Sequence, residues 1–175
     1  MTTVRQIERM WSAGQFPRLV GQMLEARPEA SDRLRERLGP SVAAAALVIV
    51  RLSELRQDHA PMIPGLIRAI LREQRPDGSW GEPLTTAVCV RALMCADGEG
   101  KAIDDALRYL AQTQRADGLW SSAGVEPGRA AGDPFITAAV LYYLASDGRF
   151  RQAVRMSDAV AALESMRGRL DEPTR

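Results

Sequence analysis

Apolar residues along this chain recur with helical spacing. Over residues 62–74, apolar side chains return every three or four positions and alternate with charged ones. The same pattern occurs over residues 101–113 and again from Phe150 to Met166. Such a stripe is typical of a helix that buries one side and exposes the other. We therefore predict three amphipathic helices in these ranges.

Three other segments are apolar on nearly every side: Ser41 to Leu55, Leu84 to Ala96, and Phe135 to Ala145. A helix of this kind must be covered on most of its surface. The third segment follows Asp133-Pro134, which suits an N-cap residue and a proline at the first helical position. Because the two kinds of helix alternate along the chain, we predict helical hairpins arranged in two layers.

Residues 2–38 also have the pattern of short amphipathic helices, and Gly39-Pro40 ends the last of them. With 175 residues and 46% hydrophobic side chains, the chain suits one packed domain. We predict a single all-α domain over residues 1–167. In it, residues 1–38 cap the hairpins of residues 41–167, and residues 168–175 form a frayed tail.

One turn sequence occurs twice. Each of four residues recurs 40 positions later. The first set is Gln74, Asp77, Gly78 and Trp80, and the second is Gln114, Asp117, Gly118 and Trp120. Further on, Thr86 corresponds to Thr137 at a spacing of 51, so 11 extra residues fall in the loop from Ser121 to Gly132. One unit is thus an amphipathic helix, a turn and an apolar helix. Such tandem units stack to bury a common core.

The Gln-x3-Gly-x-Trp string after a leucine-rich helix resembles the QW motif of squalene and oxidosqualene cyclases. It also resembles the repeat of protein prenyltransferase β subunits, and the resemblance covers about residues 62–148. It implies an α/α toroid in which the Gln amide and the Trp ring tie one hairpin to the next. A complete toroid of that family has more helix pairs than this chain can hold. We therefore expect a partial toroid, which a second copy or another chain completes, and a homo-oligomer.

The catalytic residues of that family have few counterparts here. Its cyclases use an Asp-x-Asp-Asp acid, and the nearest string is Ala102-Ile103-Asp104-Asp105, which lacks the leading aspartate. Asp104 and Asp105 are therefore the nearest catalytic candidates, although they lie on a predicted outer helix. We expect them instead to be first-turn carboxylates that interact favourably with the helix dipole.

The prenyltransferases hold zinc with an Asp, a Cys and a His. This chain has one histidine, His59, in a predicted turn, and two cysteines, Cys89 and Cys95. The cysteines lie six residues apart on one helix and project in different directions. We therefore predict two buried thiols in a reducing compartment, with no metal site and no cofactor.

Charge and hydropathy argue against a nucleic-acid-binding, secreted or membrane-spanning protein. The net charge is +1 and both signs alternate, so nucleic-acid binding is disfavoured. Lys101 is the single lysine among 23 basic residues, a bias typical of GC-rich genomes and hence of a bacterial source. The N-terminus lacks the apolar region of a signal peptide, and the longest apolar run, Val42 to Val50, is too short to span a bilayer. We expect a cytoplasmic protein.

Two functions remain open. The missing catalytic residues favour a non-catalytic binding or interaction module, built on a partial toroid with an apolar groove. Tyr142 and Tyr143, on the third apolar helix, are candidates for binding in that groove, and the expected partner is a hydrophobic small molecule or a protein. Alternatively, the chain is an enzyme, or a subunit of one, in isoprenoid or polyprenyl metabolism, completed by dimerisation or by a partner chain.

Overall fold

The computed structural model describes residues 42–121 and 132–170, and every regular element in these ranges is a helix. The seven helices are α1 (Val42–Glu54), α2 (Ile63–Arg72), α3 (Pro83–Cys95), α4 (Gly100–Thr113), α5 (Pro134–Leu144), α6 (Gly148–Ala153) and α7 (Met156–Leu170). The prediction of an all-α chain is thus confirmed for the described residues. The predicted capping helices of residues 1–38 and most of the loop from Ser121 to Gly132 lie outside them.

The five helices predicted between residues 41 and 145 are all present as α1 to α5, with ends shifted by at most two residues. The cap predicted before α5 is also present. The Asp133 carboxylate accepts hydrogen bonds from the backbone N–H groups of Phe135 and Ile136, and Pro134 occupies the first turn. These bonds satisfy two of the donors that a helix start leaves without partners.

The single helix predicted from Phe150 to Met166 is wrong, because the chain breaks it at Val154 into α6 and α7. The cause is the side chain of Gln114, whose Oε1 accepts from the Arg155 N–H at 2.7 Å and whose Nε2 donates to the Arg155 carbonyl at 3.1 Å. The Arg155 N–H is thus bound outside the helical ladder, whereas its carbonyl also accepts from the Ala159 N–H at 3.2 Å and begins the ladder of α7. The helix also ends later than predicted, at Leu170, so the first residues of the predicted tail 168–175 are helical.

The helices form two layers. Helix α3 packs against α1 on one side and α5 on the other, and these three apolar segments are the inner helices. The outer helices α2, α4 and α7 pack against α1, α3 and α5 respectively, while the short α6 packs against α4. Small side chains such as Ala43, Ala46 and Ala87 are fully buried between them, which allows the helices to approach closely.

The core continues from one hairpin to the next. Trp120 and Phe150 are fully buried and stack with ring centroids 6.3 Å apart, which ties the second turn to α6. Within residues 42–121 and 132–170, no helix has the length and apolar character needed to cross a membrane.

Candidate functional site

The first Gln–Gly–Trp turn, between α2 and α3, is bonded to the outer helix before it, α2, and to the next outer helix, α4. Gln74 Nε2 donates to the Gly78 carbonyl at 3.0 Å within the turn and to the Ala102 carbonyl of α4 at 2.8 Å. The indole Nε1 of Trp80 donates to the Ile70 carbonyl of α2 at 2.7 Å. The turn therefore fastens α2 to the start of the next outer helix.

The second turn, between α4 and α5, repeats these bonds. Gln114 Nε2 donates to the Gly118 carbonyl at 2.9 Å and to the Arg155 carbonyl, which lies just before α7, at 3.1 Å. Trp120 Nε1 donates to the Leu110 carbonyl at 2.8 Å. Here the Arg155 guanidinium adds bonds to the carbonyls of Gln114 and Arg115, so this turn has more bonds to its next helix than the first.

Each turn is also bonded to the inner helix that follows it. The Trp80 N–H donates to Thr86 Oγ1 at 3.1 Å, and the Trp120 N–H donates to Thr137 Oγ1 at 2.9 Å. The two threonines therefore occupy equivalent positions, although their sequence spacing exceeds that of the tryptophans. The 11 extra residues lie between the second turn and α5, and the hydrogen bond between the Trp N–H and the Thr hydroxyl is the same in both units.

The turn glycines are required by two separate constraints. Gly78 has φ +86° and Gly118 has φ +82°, in the left-handed region that side chains disfavour. A Cβ atom on Gly78 would lie 2.6 Å from the backbone carbon of Asp105, and one on Gly118 would lie 2.6 Å from that of Asp158. Each turn therefore packs directly against the backbone of the next outer helix.

The aspartates of the turns act locally. Asp77 accepts from the Ser79 N–H at 2.9 Å, and Asp117 accepts from the Leu119 N–H at 3.1 Å. The bond from the Ser79 backbone lowers the pKa of Asp77 and outweighs the opposing effect of burial. Both carboxylates fix the turn geometry, as Asp does in many turns.

Asp104 and Asp105 lie on α4, in the outer layer. Because α4 begins at Gly100, they occupy its second turn, and the expectation that they are first-turn carboxylates is wrong. Asp105 accepts from Lys101 at 2.5 Å and Arg108 at 2.9 Å, and the Lys101 hydrogen bond is the main reason that its pKa is lowered. A general acid needs a raised pKa, so this environment does not favour catalysis.

Tyr142 and Tyr143 are near the end of α5, and their rings meet edge to face with centroids 5.2 Å apart. Tyr142 is 39% exposed, whereas Tyr143 is half-buried. Burial, then Tyr142 and then Glu54 raise the pKa of Tyr143 to about 12. Glu54, the last residue of α1, is therefore close enough to act electrostatically on Tyr143 of α5.

The middle inner helix has one partly exposed stripe. Arg91, Met94 and Cys95 are half-buried, whereas residues 83–90 of the same helix are buried. Because α1 and α5 pack against two sides of α3 and α4 packs against another, we infer that this stripe faces away from the outer layer. We group this stripe with exposed or half-buried apolar residues on α1, just after α1 and on α5, and we term the set the inner face: Val48, Leu55, Arg91, Met94, Cys95, Tyr142 and Tyr143.

The cysteines and the histidine do not converge. Cys89 is fully buried and Cys95 half-buried, both are free thiols, and burial raises the pKa of the Cys89 thiol far above its usual range. His59 is exposed in the turn before α2. Among the described residues, no group of three His, Cys, Asp or Glu side chains is placed to hold a metal ion.

Arg91 and Arg155 were not among the candidate residues predicted from the sequence. Arg91 is the one charged residue in the apolar segment of α3, and that isolation was a usable signal. Arg155 carries no such signal, because its partner Gln114 is 41 residues away. The structure brings Arg155 into contact with the second turn. It does not bring the predicted catalytic and binding candidates together, because Asp104 lies on an outer helix and Tyr142 on an inner one.

No protein-family model matches this chain, and no solved structure matches it significantly. Two curated proteins do. Drimenyl diphosphate synthase of Streptomyces showdoensis is 35% identical over 134 aligned positions, which take in 69% of this chain and 24% of that protein. Ent-copalyl diphosphate synthase of Streptomyces sp. (strain KO-3988) is 34% identical over 95 positions, with 46% of this chain and 18% of that protein. The chain thus spans a quarter or less of these relatives' lengths, and over that part it is similar to terpene cyclases.

Proposed function

We propose that this chain is an enzyme, or a subunit of an enzyme, that acts on an isoprenoid substrate, with its hairpins forming part of an α/α toroid. The observation that carries the proposal is the similarity of the chain to two diphosphate synthases, at 35% and 34% identity. This places the isoprenoid alternative ahead of the non-catalytic module. The proposal concerns a part of such an enzyme, since each relative is several times longer than the matched region.

The chemistry of the inner face supports this role. Val48, Leu55 and Tyr142 are exposed large apolar or aromatic residues in the part of the chain that the structure describes; Val48 lies on α1 and Leu55 directly follows it. Contact with a hydrocarbon chain would remove this surface from water, at about 25 cal/mol per Å². Arg91, half-buried on α3 between the two flanking helices, supplies a cation suited to the anionic end of a polyprenyl diphosphate.

The acid for such a reaction must come from elsewhere. The 175 residues contain no Asp-x-Asp-Asp string, and the pKa of Asp105 is lowered by Lys101. Protonation of an alkene requires a carboxylic acid that keeps its proton at the working pH. In our proposal, another chain, or another part of a longer one, supplies that acid, while this chain supplies part of the wall that holds the substrate.

The test is turnover with and without a completing partner. The purified chain, alone and mixed with candidate partner proteins, is incubated with polyprenyl diphosphates and with squalene, and products are identified by gas chromatography and mass spectrometry. We expect cyclised product only in a mixture, and at least tenfold less of it with Tyr142→Ala or Arg91→Ala. Arg149→Ala, at an exposed arginine on α6, is the matched control. Absence of turnover and of binding with every substrate would refute the proposal.

The non-catalytic module remains the second candidate, because the chain lacks the family's acid string. It predicts saturable binding of a hydrophobic molecule or a protein with no product in any mixture. Light scattering on the purified chain distinguishes a homo-oligomer from a monomer that needs a different partner. A monomer that binds a hydrophobic ligand without turning it over would favour this second candidate.

A further inference from the structure

The turn that follows α2 rests on three positions of α4, spaced i, i+3 and i+7: Ala102, Asp105 and Tyr109. Gln74 donates to the carbonyl of the first at 2.8 Å, and Gly78 packs on the backbone of the second. The hydroxyl of the third donates to the Gly81 carbonyl at 3.4 Å. Positions i, i+3 and i+7 share one side of a helix, and we term them the receiving stripe.

The next outer helix receives the second turn at equivalent positions. The Arg155 carbonyl accepts from Gln114, and three residues later the backbone of Asp158 packs against Gly118. The same two contacts, at the same separation, therefore join both consecutive pairs of outer helices. The receiving stripe is a property of the repeat and does not depend on one local sequence.

The same stripe occurs 40 residues before that of α4, at Met62, which caps α2, and at Gly65 and Ala69 within α2. All three residues are exposed, and the Met62 side chain is 57% exposed. Among the described residues, the Met62 carbonyl accepts only from the Leu66 N–H, and a Cβ on Gly65 would meet only the Arg68 guanidinium, at 4.0 Å. Within the described residues, no turn packs against this stripe.

The chain also has no turn of the right sequence to place there. Each donor glutamine precedes its acceptor by 28 or 41 residues, which puts a donor to Met62 near residue 34 or residue 21. No Gln-x3-Gly-x-Trp string occurs there or anywhere before α2. Gln74 and Gln114 are both engaged within the chain, so a second copy would have no free turn to donate.

We propose that the receiving stripe of α2 docks a Gln-x3-Gly-x-Trp turn of a different polypeptide. The joint would continue the one that links α2 to α4 and α4 to α7. Arg68 and Arg72, exposed beside the stripe, complement the Asp that precedes the glycine in both turns of this chain. The inference rests on the proposed function, because it specifies how a partner chain extends the partial toroid.

The first experiment identifies what touches the stripe. A photo-cross-linking amino acid replaces Gly65 in the full chain, which is exposed to a lysate of the organism that makes it, and cross-linked peptides are sequenced by mass spectrometry. Gly148 is the matched control, because it is also an exposed glycine near a helix start, with the guanidinium of an arginine three residues on at 3.9 Å. We expect a peptide from another protein that contains the Gln-x3-Gly-x-Trp string, at position 65 only.

Three results would overturn the proposal: cross-links confined to this chain's own residues 1–41, cross-links to a partner segment without that string, or no excess over the Gly148 control. A second measurement uses Gly65→Tyr, which places a large side chain on the stripe and so blocks the partner's turn. This chain itself has room for the substitution, because a Cβ at position 65 would meet only the Arg68 guanidinium, at 4.0 Å. Its affinity for the identified partner should fall at least tenfold, while Gly148→Tyr binds like the unmodified chain. Equal affinities would also overturn it.

Different experimental results would refute the docking site and the proposed function. A partner cross-linked through its turn, with no isoprenoid turnover by the pair, would support the joint and refute the proposed function. Turnover by a pair whose cross-links avoid Gly65 would support the function and refute the joint.

Discussion

The indole rings of Trp80 and Trp120 each combine burial with one hydrogen bond to the helix before the turn. Trp120 is fully buried, and its Nε1 donates to the Leu110 carbonyl at 2.8 Å. Trp80 is 6% exposed and donates to the Ile70 carbonyl at 2.7 Å. Each ring thus fills the space between layers and satisfies a carbonyl at the end of an outer helix.

Replacement of Trp120 by alanine should lower the free energy of unfolding by about 3–5 kcal/mol, because it leaves a cavity. Trp120→Phe keeps most of the ring volume and removes the bond to Leu110, so it should cost about 1–3 kcal/mol. Urea denaturation followed by circular dichroism measures both. Leu55→Ala, at a side chain 59% exposed, is the control and should be nearly neutral. A neutral Trp120→Ala would contradict the structural role of the ring.

Gly118→Ala should destabilise the chain. The left-handed backbone alone costs about 1–2 kcal/mol for a residue with a Cβ. The overlap with Asp158 adds to this, since the contacted atoms belong to backbone. Gly100→Ala, at the exposed start of α4 where a Cβ would meet nothing within 4 Å, should be neutral or slightly stabilising. Equal effects of the two substitutions on the denaturation midpoint would contradict the close packing of the turn.

Asp77 should make stability depend on pH in the acid range. Its pKa in the folded chain is lowered, chiefly by the Ser79 backbone hydrogen bond, from a value of 3.8. A lowered folded-state pKa gives a stabilising contribution that is present above about pH 4 and is lost as the pH falls through the folded pKa. The difference in stability between the unmodified chain and Asp77→Asn should therefore shrink on acidification. Denaturation curves from neutral pH to about pH 3 measure it, and a constant difference would contradict it.

At the scale of elements, local patterns predicted most of the helices. Apolar periodicity, Asp133-Pro134 and the glycine-containing turns located α1 to α5 because these signals act within a few residues. The break at Val154 was not predictable in this way. It depends on Gln114, which binds the Arg155 backbone from 41 residues away. A contact of that range leaves no periodic signal.

Gln114→Ala tests this explanation of the break. The substitution leaves the Arg155 N–H without its partner, while the Arg155 carbonyl keeps only its bond from the Ala159 N–H. Because Gln114 is 7% exposed, we expect a loss of about 1–3 kcal/mol. Hydrogen exchange at Arg155 and in the first turn of α7 should accelerate more than exchange in α3. Gln112→Ala, at an exposed position on the same helix, is the control. Uniform acceleration throughout the chain would show that the bond has no local role.

At the scale of the whole molecule, the joints between hairpins were easier to predict than the surface that binds a ligand. Gln74 and Gln114 could be matched because a repeat compares one part of the sequence with another. The inner face draws single residues from three helices, and no local pattern relates Arg91 to Tyr142. The candidate pair Asp104 and Asp105 came from a short string that lacks the family's first aspartate, and both lie in the outer layer.

Contact between the inner face of the hairpins and an isoprenoid is the central proposal for the whole molecule. The most direct measurement is photolabelling of the full chain, with its partner where one is found, by a polyprenyl diphosphate that carries a photoreactive group. We predict that labelled peptides contain inner-face positions such as Leu55, Met94 and Tyr142, and that an unlabelled polyprenyl diphosphate competes for them. Labelling confined to the outer helices α2, α4 and α7, or labelling that no competitor reduces, would contradict the account.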